Sequence, residues 1–333
     1  MTDVNIRAAG RAGRITLTRP HAMNALTHDM AIAIHQALRD WRDDDGVDLV
    51  IIDAAGEGFF CAGGDVAALY HAGKRGDHHV SQAFFRDEYP MNAEIADYPK
   101  PVVAFMHGYT MGGGIGLGGH ASHRIVGNTT RMAMPESIIG LIPDVGGTWL
   151  LGRAPGRIGE YLALTGERMR AGGAIHAGFA DVFLPERKWP ALIAKLEETG
   201  DVGVIQGQTP PPSTLAERDL SAFGGRDVDE IIANLRQQGD DATAAKIAHN
   251  SPLSLAAGLQ MVRAARGDDR LQTALSREFR FTFRASEQSD FIEGVRAQLI
   301  DKDRSPNWTV DGSDASVQAM LAPLGDNELT WRE

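Results

Sequence analysis

The chain has one cysteine, Cys61, in 333 residues, so no internal disulfide can staple it and a reducing compartment is its expected setting. No run of about 18 apolar residues occurs, the length a helix needs to cross a bilayer. The opening MTDVNIRAAG has neither the basic nor the apolar segment of an export signal. A cytoplasmic protein with no membrane partner is expected. Positive charge is also in short supply: 33 Lys and Arg stand against 44 Asp and Glu, for a formal net charge of -11, with the two signs interspersed. Such a surface offers no extended basic face to DNA, RNA or an anionic membrane. An anionic ligand would have to be held by a few local bases and by backbone N–H groups. Short repeats and low-complexity tracts are missing too.

A hydrophobic content of 43% over this length can build a substantial core. GRITLTRP alternates as a strand does and ends at Pro20. A helix is expected from Thr27 as N-cap, with Met30, Ile34, Leu38 and Trp41 at helical spacing up to the acidic stop DDDG. VDLVIIDAA, KPVVAFMHG and SHRIVG read as further strands. AGGDVAALYHAGKRGDHH reads as a loop, followed by a helix over residues 80–96. Strands alternating with helices place the chain in the α/β class. Beyond Gly147 helical patterns dominate, and the three prolines of GQTPPPSTLAE mark a boundary, so a core over residues 1–206 and a C-terminal helical region over 207–333 are expected.

Two glycine-rich turns, CAGGD at 61–65 and MGGGIGLGGH at 111–120, each follow an expected strand. Glycines there leave backbone N–H groups unshielded, and one N–H from each turn could together hold an oxyanion. Tight turns or close helix packing explain either turn equally well when it is taken alone. No Gly-Lys-Ser/Thr follows the second turn, which excludes a phosphate loop. In AMPESIIGLIPDVGG, Glu136 and Asp144 stand eight residues apart among apolar residues, proline and glycine. Isolated carboxylates in such surroundings are either solvated or useful. Pro135 and Glu136 suit the first turn of a helix and Asp144 suits an N-cap, so helix chemistry and catalysis both fit at this point. His107, His120 and His123 have no acid or cysteine at ligand spacing, and no metal site is expected. Cys61 has no adjacent base and reads as a small packing residue.

RPHAMNALT, FFCAGGDV, KPVVAFMHGYTMGGGIGL and AMPESIIGLIPDVGGTWLLGR, in this order and spacing, resemble the enoyl-CoA hydratase/isomerase (crotonase) superfamily. The resemblance runs on through LALTGERMRAGGAIHAGFAD to SDFIEGVRAQLIDKDRSPNW. It is strongest to the 3-hydroxyisobutyryl-CoA hydrolase branch, which shares PDVGG, FFRDEY and LIDKDRSPNW.

The resemblance implies a crotonase-like spiral of ββα units with a C-terminal helical region, and a homo-oligomer, a trimer in relatives. It implies an oxyanion hole from the N–H groups of Gly64 and Gly113. A CoA groove would be lined by the RPHAMNAL turn and the AGGDV loop, with Arg19, His21, Ala62 and Asp65 as substrate contacts. Hydratases place one catalytic acid where this chain has Gly116, and glycine where it has Asp144. The acid pair Glu136 and Asp144 therefore matches the hydrolases. Glu136 would act as nucleophile or general base, Asp144 would orient it and manage a proton, and Glu88 would meet a substrate hydroxyl. No cofactor is implied, since CoA is part of the acyl-CoA substrate. The implied activity is release of 3-hydroxyisobutyrate from its CoA ester in valine breakdown. An enoyl-CoA hydratase or isomerase and a non-catalytic acyl-CoA binder are the alternatives.

Overall fold

The computed structural model describes residues 3–331. Among the described residues nine strands occur in chain order: β1 (Val4–Ala9), β2 (Ala12–Leu17), β3 (Leu49–Ala54), β4 (Phe59–Cys61), β5 (Val102–Met106), β6 (Tyr109–Met111), β7 (His123–Val126), β8 (Arg131–Ala133) and β9 (Val182–Phe183). Six form one sheet in the order β1-β2-β3-β5-β7-β9, and three form a second in the order β4-β6-β8. All pairings are parallel except β1 with β2, a hairpin that turns at Gly10 with φ +56°.

Each pass of the chain adds a longer strand to the first sheet and a short one to the second, and then a helical segment: Val66–Lys74 after β4, Gly113–Gly118 after β6, Glu136–Ile139 after β8. This is the repeated ββα turn of the expected spiral. The core strands read as unbroken apolar runs because both faces of the first sheet are covered. On one side lies the helix Trp189–Thr199, whose Trp189, Leu192, Ile193 and Leu196 pack with Leu49, Ile51, Val103, Phe105 and Ile125. Gly13 of β2 has no side chain because the Trp41 ring of the helix His28–Arg42 occupies that space. That helix begins as its sequence requires, with the Thr27 hydroxyl accepting from Met30 N at 3.2 Å.

The chain divides into two compact units. Unit 1 comprises residues 1–64, 90–133 and 168–217 and holds both sheets; unit 2 comprises residues 65–89, 134–167 and 218–333 and is helical. The boundary expected near residue 207 lies shortly before the last of the five points at which the chain passes between units. In unit 2 the helices Gly147–Arg153 and Pro252–Ala265 approach closely at Gly152, where an added Cβ would stand 3.1 Å from Ala265 Cβ.

One local expectation needs correction. The stretch read as a loop after Cys61 contains the helix Val66–Lys74, capped by Asp65. The N-terminal VNIRAA forms β1. SDFIEGVRAQLIDKD forms a short helix, Phe291–Val295, that widens into a π-helical turn over Arg296–Ile300. No helix among the described residues is long and apolar enough to cross a membrane.

Candidate active site

The glycine turns lie in unit 1. β4 and β6 run side by side, Phe59 against Tyr109 and Cys61 against Thr110, so the chain leaves both strands at the same end. The two turns consequently meet. Gly63 and Gly112 take φ of +111° and +47°, a region that L side chains rarely adopt. A Cβ on Gly63 would lie 3.9 Å from Gly113 N. The N–H groups of Gly64 and Gly113 have no hydrogen-bond partner among the described residues. The structure thus sets side by side the two glycine turns that the sequence singled out. Cys61 is buried beneath them, its Sγ 3.6 Å from Gly63 O. Gly116, where hydratases carry an acid, is buried in the helix Gly113–Gly118.

The RPHAMNAL turn is held by Asn24, whose Nδ2 donates to Ala55 O and Phe59 O at 3.0 and 2.9 Å and whose Oδ1 accepts from Arg19 N. Arg19 donates to Ala25 O at 2.9 Å and lies 3.4 Å from the Asp3 carboxylate, so its guanidinium braces this turn. His21 is exposed, and Ala62 N donates to Met23 O at 3.1 Å. Asp65 accepts from Ala68 N at 3.3 Å as a helix cap. Arg19 and Asp65 each have a structural task whatever they contact in a ligand.

The acids lie in unit 2. Glu136 opens a 3-10 turn, Glu136–Ile139, that ends at Gly140 with φ +75°. Ser137 anchors this turn: its hydroxyl accepts from Asn250 Nδ2 at 3.2 Å and its carbonyl from Ser251 N at 3.1 Å. Asp144 sits in a second tight turn, with Val145 and Gly146 at φ +54° and +78°. Neither acid caps a helix. The N-cap positions belong to Pro135 and Gly146, and neither helix start has a side-chain cap bond. The N-cap reading of Asp144 is overturned, because Gly146 holds that position, whereas Glu136 does sit in the first turn of its 3-10 segment, without a cap bond.

Asp144 instead accepts from the Tyr89 hydroxyl at 2.8 Å. Glu88, beside Tyr89 on the helix His79–Ala96, joins the group, as does Glu278 of the helix Leu271–Gln288. Relative exposure is 1% for Glu88, 5% for Glu136, 4% for Asp144 and 0% for Glu278. No lysine, arginine or histidine among the described residues offsets any of the four.

Burial raises all four carboxyls, and the neighbouring Asp144 charge raises Glu88, Glu136 and Glu278 further. The hydrogen bonds decide which ionise first. Asp144, with the Tyr89 donor, is pushed up to about 7, as is Glu278, which has three donors. Glu88 and Glu136 are held well above the usual carboxylate range, and each has a buried oxygen with no hydrogen-bond partner among the described residues. Asp144 and Glu278 therefore give up their protons more readily than Glu88 and Glu136.

Linkage follows. A buried carboxyl that keeps its proton to higher pH than in the unfolded chain favours the folded state at acid pH, and this advantage is lost as pH rises through its folded pKa. Glu88→Gln should melt with wild type at pH 5 and about 2 °C or more above it at pH 8; scanning calorimetry at both pH values checks this.

Three of these groups carry no sequence signal. Tyr89, Glu278 and Thr282 sit in helices where a phenol, a glutamate and a threonine are ordinary, and only their burial sets them apart. The histidines stand elsewhere. His107 bonds Gly56 O at 3.0 Å, with burial lowering its pKa, His123 bonds Ser122, and His120 is half-buried. Among the described residues no three His, Cys, Asp or Glu side chains come together as a metal would require.

Comparison with known proteins adds independent findings. A family model described as enoyl-CoA hydratase/isomerase matches residues 12–323. The mitochondrial 3-hydroxyisobutyryl-CoA hydrolase of Danio rerio is 40% identical over 98% of this chain and 91% of its own. The Homo sapiens protein of that name is 37% identical over 92% and 84%. Among solved structures, an enoyl-CoA hydratase from Rhodobacter sphaeroides superposes with a TM-score of 0.94 at 50% identity, over 99% of this chain and 100% of the other. A carnitinyl-CoA dehydratase from Mycobacterium thermoresistibile gives 0.93 at 41% identity, over 99% of each. With the paired ββα turns, the adjacent glycine turns and a match over nearly its whole length, the chain belongs to the enoyl-CoA hydratase/isomerase family.

Proposed function

We propose that this protein hydrolyses acyl-CoA thioesters and that its substrate is 3-hydroxyisobutyryl-CoA, cleaved to 3-hydroxyisobutyrate and CoA. The observation that carries the reading is the buried carboxyl group of Glu88, Glu136 and Asp144 in a chain that has glycine, Gly116, where hydratases need an acid. The names of the curated relatives support the substrate.

In this reading the N–H groups of Gly64 and Gly113 receive the thioester oxygen as it gains charge, a device whose removal costs about 10²- to 10³-fold in rate. Glu136 passes its proton to Asp144 and attacks the acyl carbon. The C–S bond breaks, leaving a mixed anhydride, and Asp144 returns the proton to the departing thiolate. Water then adds to the anhydride and restores the Glu136 carboxyl. A Glu136 that instead activates water for direct attack needs the same groups. Glu88, neutral and without a partner, can donate to the substrate's hydroxyl. Arg19, His21, Ala62 and Asp65 remain the proposed CoA contacts. No metal or separate cofactor takes part. The buried thiol of Cys61, in no disulfide, accords with a reducing compartment such as the cytoplasm.

A second reading, hydration of an enoyl-CoA, is favoured by the description of the Rhodobacter sphaeroides structure as an enoyl-CoA hydratase. One experiment separates the two. Purified protein, with chelator present, is given 3-hydroxyisobutyryl-CoA and crotonyl-CoA while free thiol and enoyl absorbance are followed together. Thiol release from the first without loss of enoyl absorbance from the second is expected; the opposite pattern sinks the hydrolase reading.

A further inference from the structure

Asp144 hangs on a turn that another acid grips. Glu278 Oε2 accepts from Gly146 N at 2.7 Å, and its Oε1 accepts from Thr148 N at 3.0 Å and from the Thr148 hydroxyl. Three donors from two residues, Gly146 and Thr148, converge on one fully buried carboxylate, and they fasten the segment in which Val145 and Gly146 hold their left-handed conformations. One helical turn further along the same helix stands Thr282, its Oγ1 3.1 Å from the Tyr89 oxygen. A phenol has a single proton. Given to the Asp144 carboxylate at 2.8 Å, that proton leaves the Tyr89 oxygen held against Thr282 Oγ1, whose own hydroxyl also reaches Phe279 O at 3.3 Å.

We propose that the helix Leu271–Gln288 is the positioning element for Asp144: Glu278 locks the backbone that carries it, and Thr282, through Tyr89, aims its carboxylate. Neither Glu278 nor Thr282 is a catalytic residue. The proposal rests on the hydrolase reading for its effect on turnover, and not for its effect on Asp144 itself. A neutral side chain could have satisfied the turn, whereas an acid buried with no cation beside it costs the folded state stability. What the acid adds is charge next to the reacting groups. The titratable groups that interact with it are Tyr89 from the helix His79–Ala96, and Glu136 and Asp144 from their two turns, with no base among them. A negative Glu278 therefore discourages ionisation of Asp144 and Glu136, while Tyr89 encourages that of Asp144.

The test uses Glu278→Gln, Tyr89→Phe and Thr282→Val in the full chain, with two readouts. One is thiol release from 3-hydroxyisobutyryl-CoA. The other is the titration midpoint of Asp144, followed by carboxyl-13C NMR of aspartate-labelled protein, the signal being identified by its loss in Asp144→Asn. Glu278→Gln should lower kcat about 10- to 100-fold with KM within about threefold. It should also move the Asp144 midpoint down, while Tyr89→Phe and, more weakly, Thr282→Val move it up. In an Asp144→Asn background the same substitutions should cost less than about threefold more, because they act through Asp144. Equal losses in both backgrounds, or a midpoint that stays in place in all three variants, overturn the proposal. Should the wild type release no thiol from the substrate, the hydrolase reading fails and the opposed midpoint shifts still decide the positioning role. If Glu278→Gln does not fold, an unmoved midpoint in the other two variants overturns it alone.

Discussion

Glu136→Gln is expected to lower kcat for thiol release by about 10³-fold or more while the protein stays folded and still binds the CoA ester. The amide has the shape of the neutral carboxyl that burial enforces at this position, so the turn Glu136–Ile139 and its anchor on Asn250 and Ser251 should persist. The only thing removed is the capacity to ionise and attack or to accept a proton. The variant should melt above wild type at pH 8, since a group the fold must otherwise keep neutral is gone. Asp144→Asn should lose less, and the double variant should fall short of the product of the two losses if the acids act as a unit. The measurements are kcat, acyl-CoA affinity and a melting curve for each variant. Turnover near wild type in Glu136→Gln would leave the buried acids without a catalytic role.

Gly114→Ala is the second large effect. An added Cβ would press into Cys61 O and stand 3.0 Å from Cys61 Cβ and 3.2 Å from the Cys61 carbonyl carbon. These are mostly backbone atoms at the end of β4, so relief requires the two glycine turns to part, carrying Gly113 N away from Gly64. A loss of about 10²-fold or more in kcat follows if the two N–H groups act together on one oxygen. Gly258→Ala is the control, because its Cβ would meet only Pro143 Cδ, at 3.4 Å. Cys61→Ala, which removes a thiol that packs but leaves the carbonyl in place, should keep most activity. Comparable kcat in Gly114→Ala and Gly258→Ala would show that the packing of these turns does not govern catalysis.

The legible parts of this fold and site are those whose cause is local. Thr27 and the Met30 to Trp41 stripe specify a helix within their own span. LVIIDA is buried on both faces and shows it by having almost no polar residue. β4, β6 and β8, at three residues each, are too short for any alternation to register, although they set the glycine turns side by side. The helix Val66–Lys74 was hidden by its histidine and lysine, which face outward. Glu136 and Asp144 stood out as acids in apolar sequence, yet their local setting argued equally for helix caps, and only the turn geometry rejects that. Glu278 lay beyond reach. In LQTALSREFRFTFRA it looks like a solvated charge, and its burial depends on donors at Gly146 and Thr148, far away along the chain.

The interleaving of the two units bears on how the protein is made. The ribosome has delivered every residue of unit 1 by position 217, whereas unit 2 must wait for the stretch from 218 onward. Domains fold as units during synthesis, at about 5–20 residues per second. Once residue 217 has emerged from the ribosome, the nascent chain can therefore complete both sheets and the glycine turns while Glu136 and Asp144 still lack Asn250, Glu278 and Thr282. Catalytic competence is thus among the last properties to emerge, and a transcript cut short before codon 278 should yield a chain that can order its sheets yet never form its acid centre.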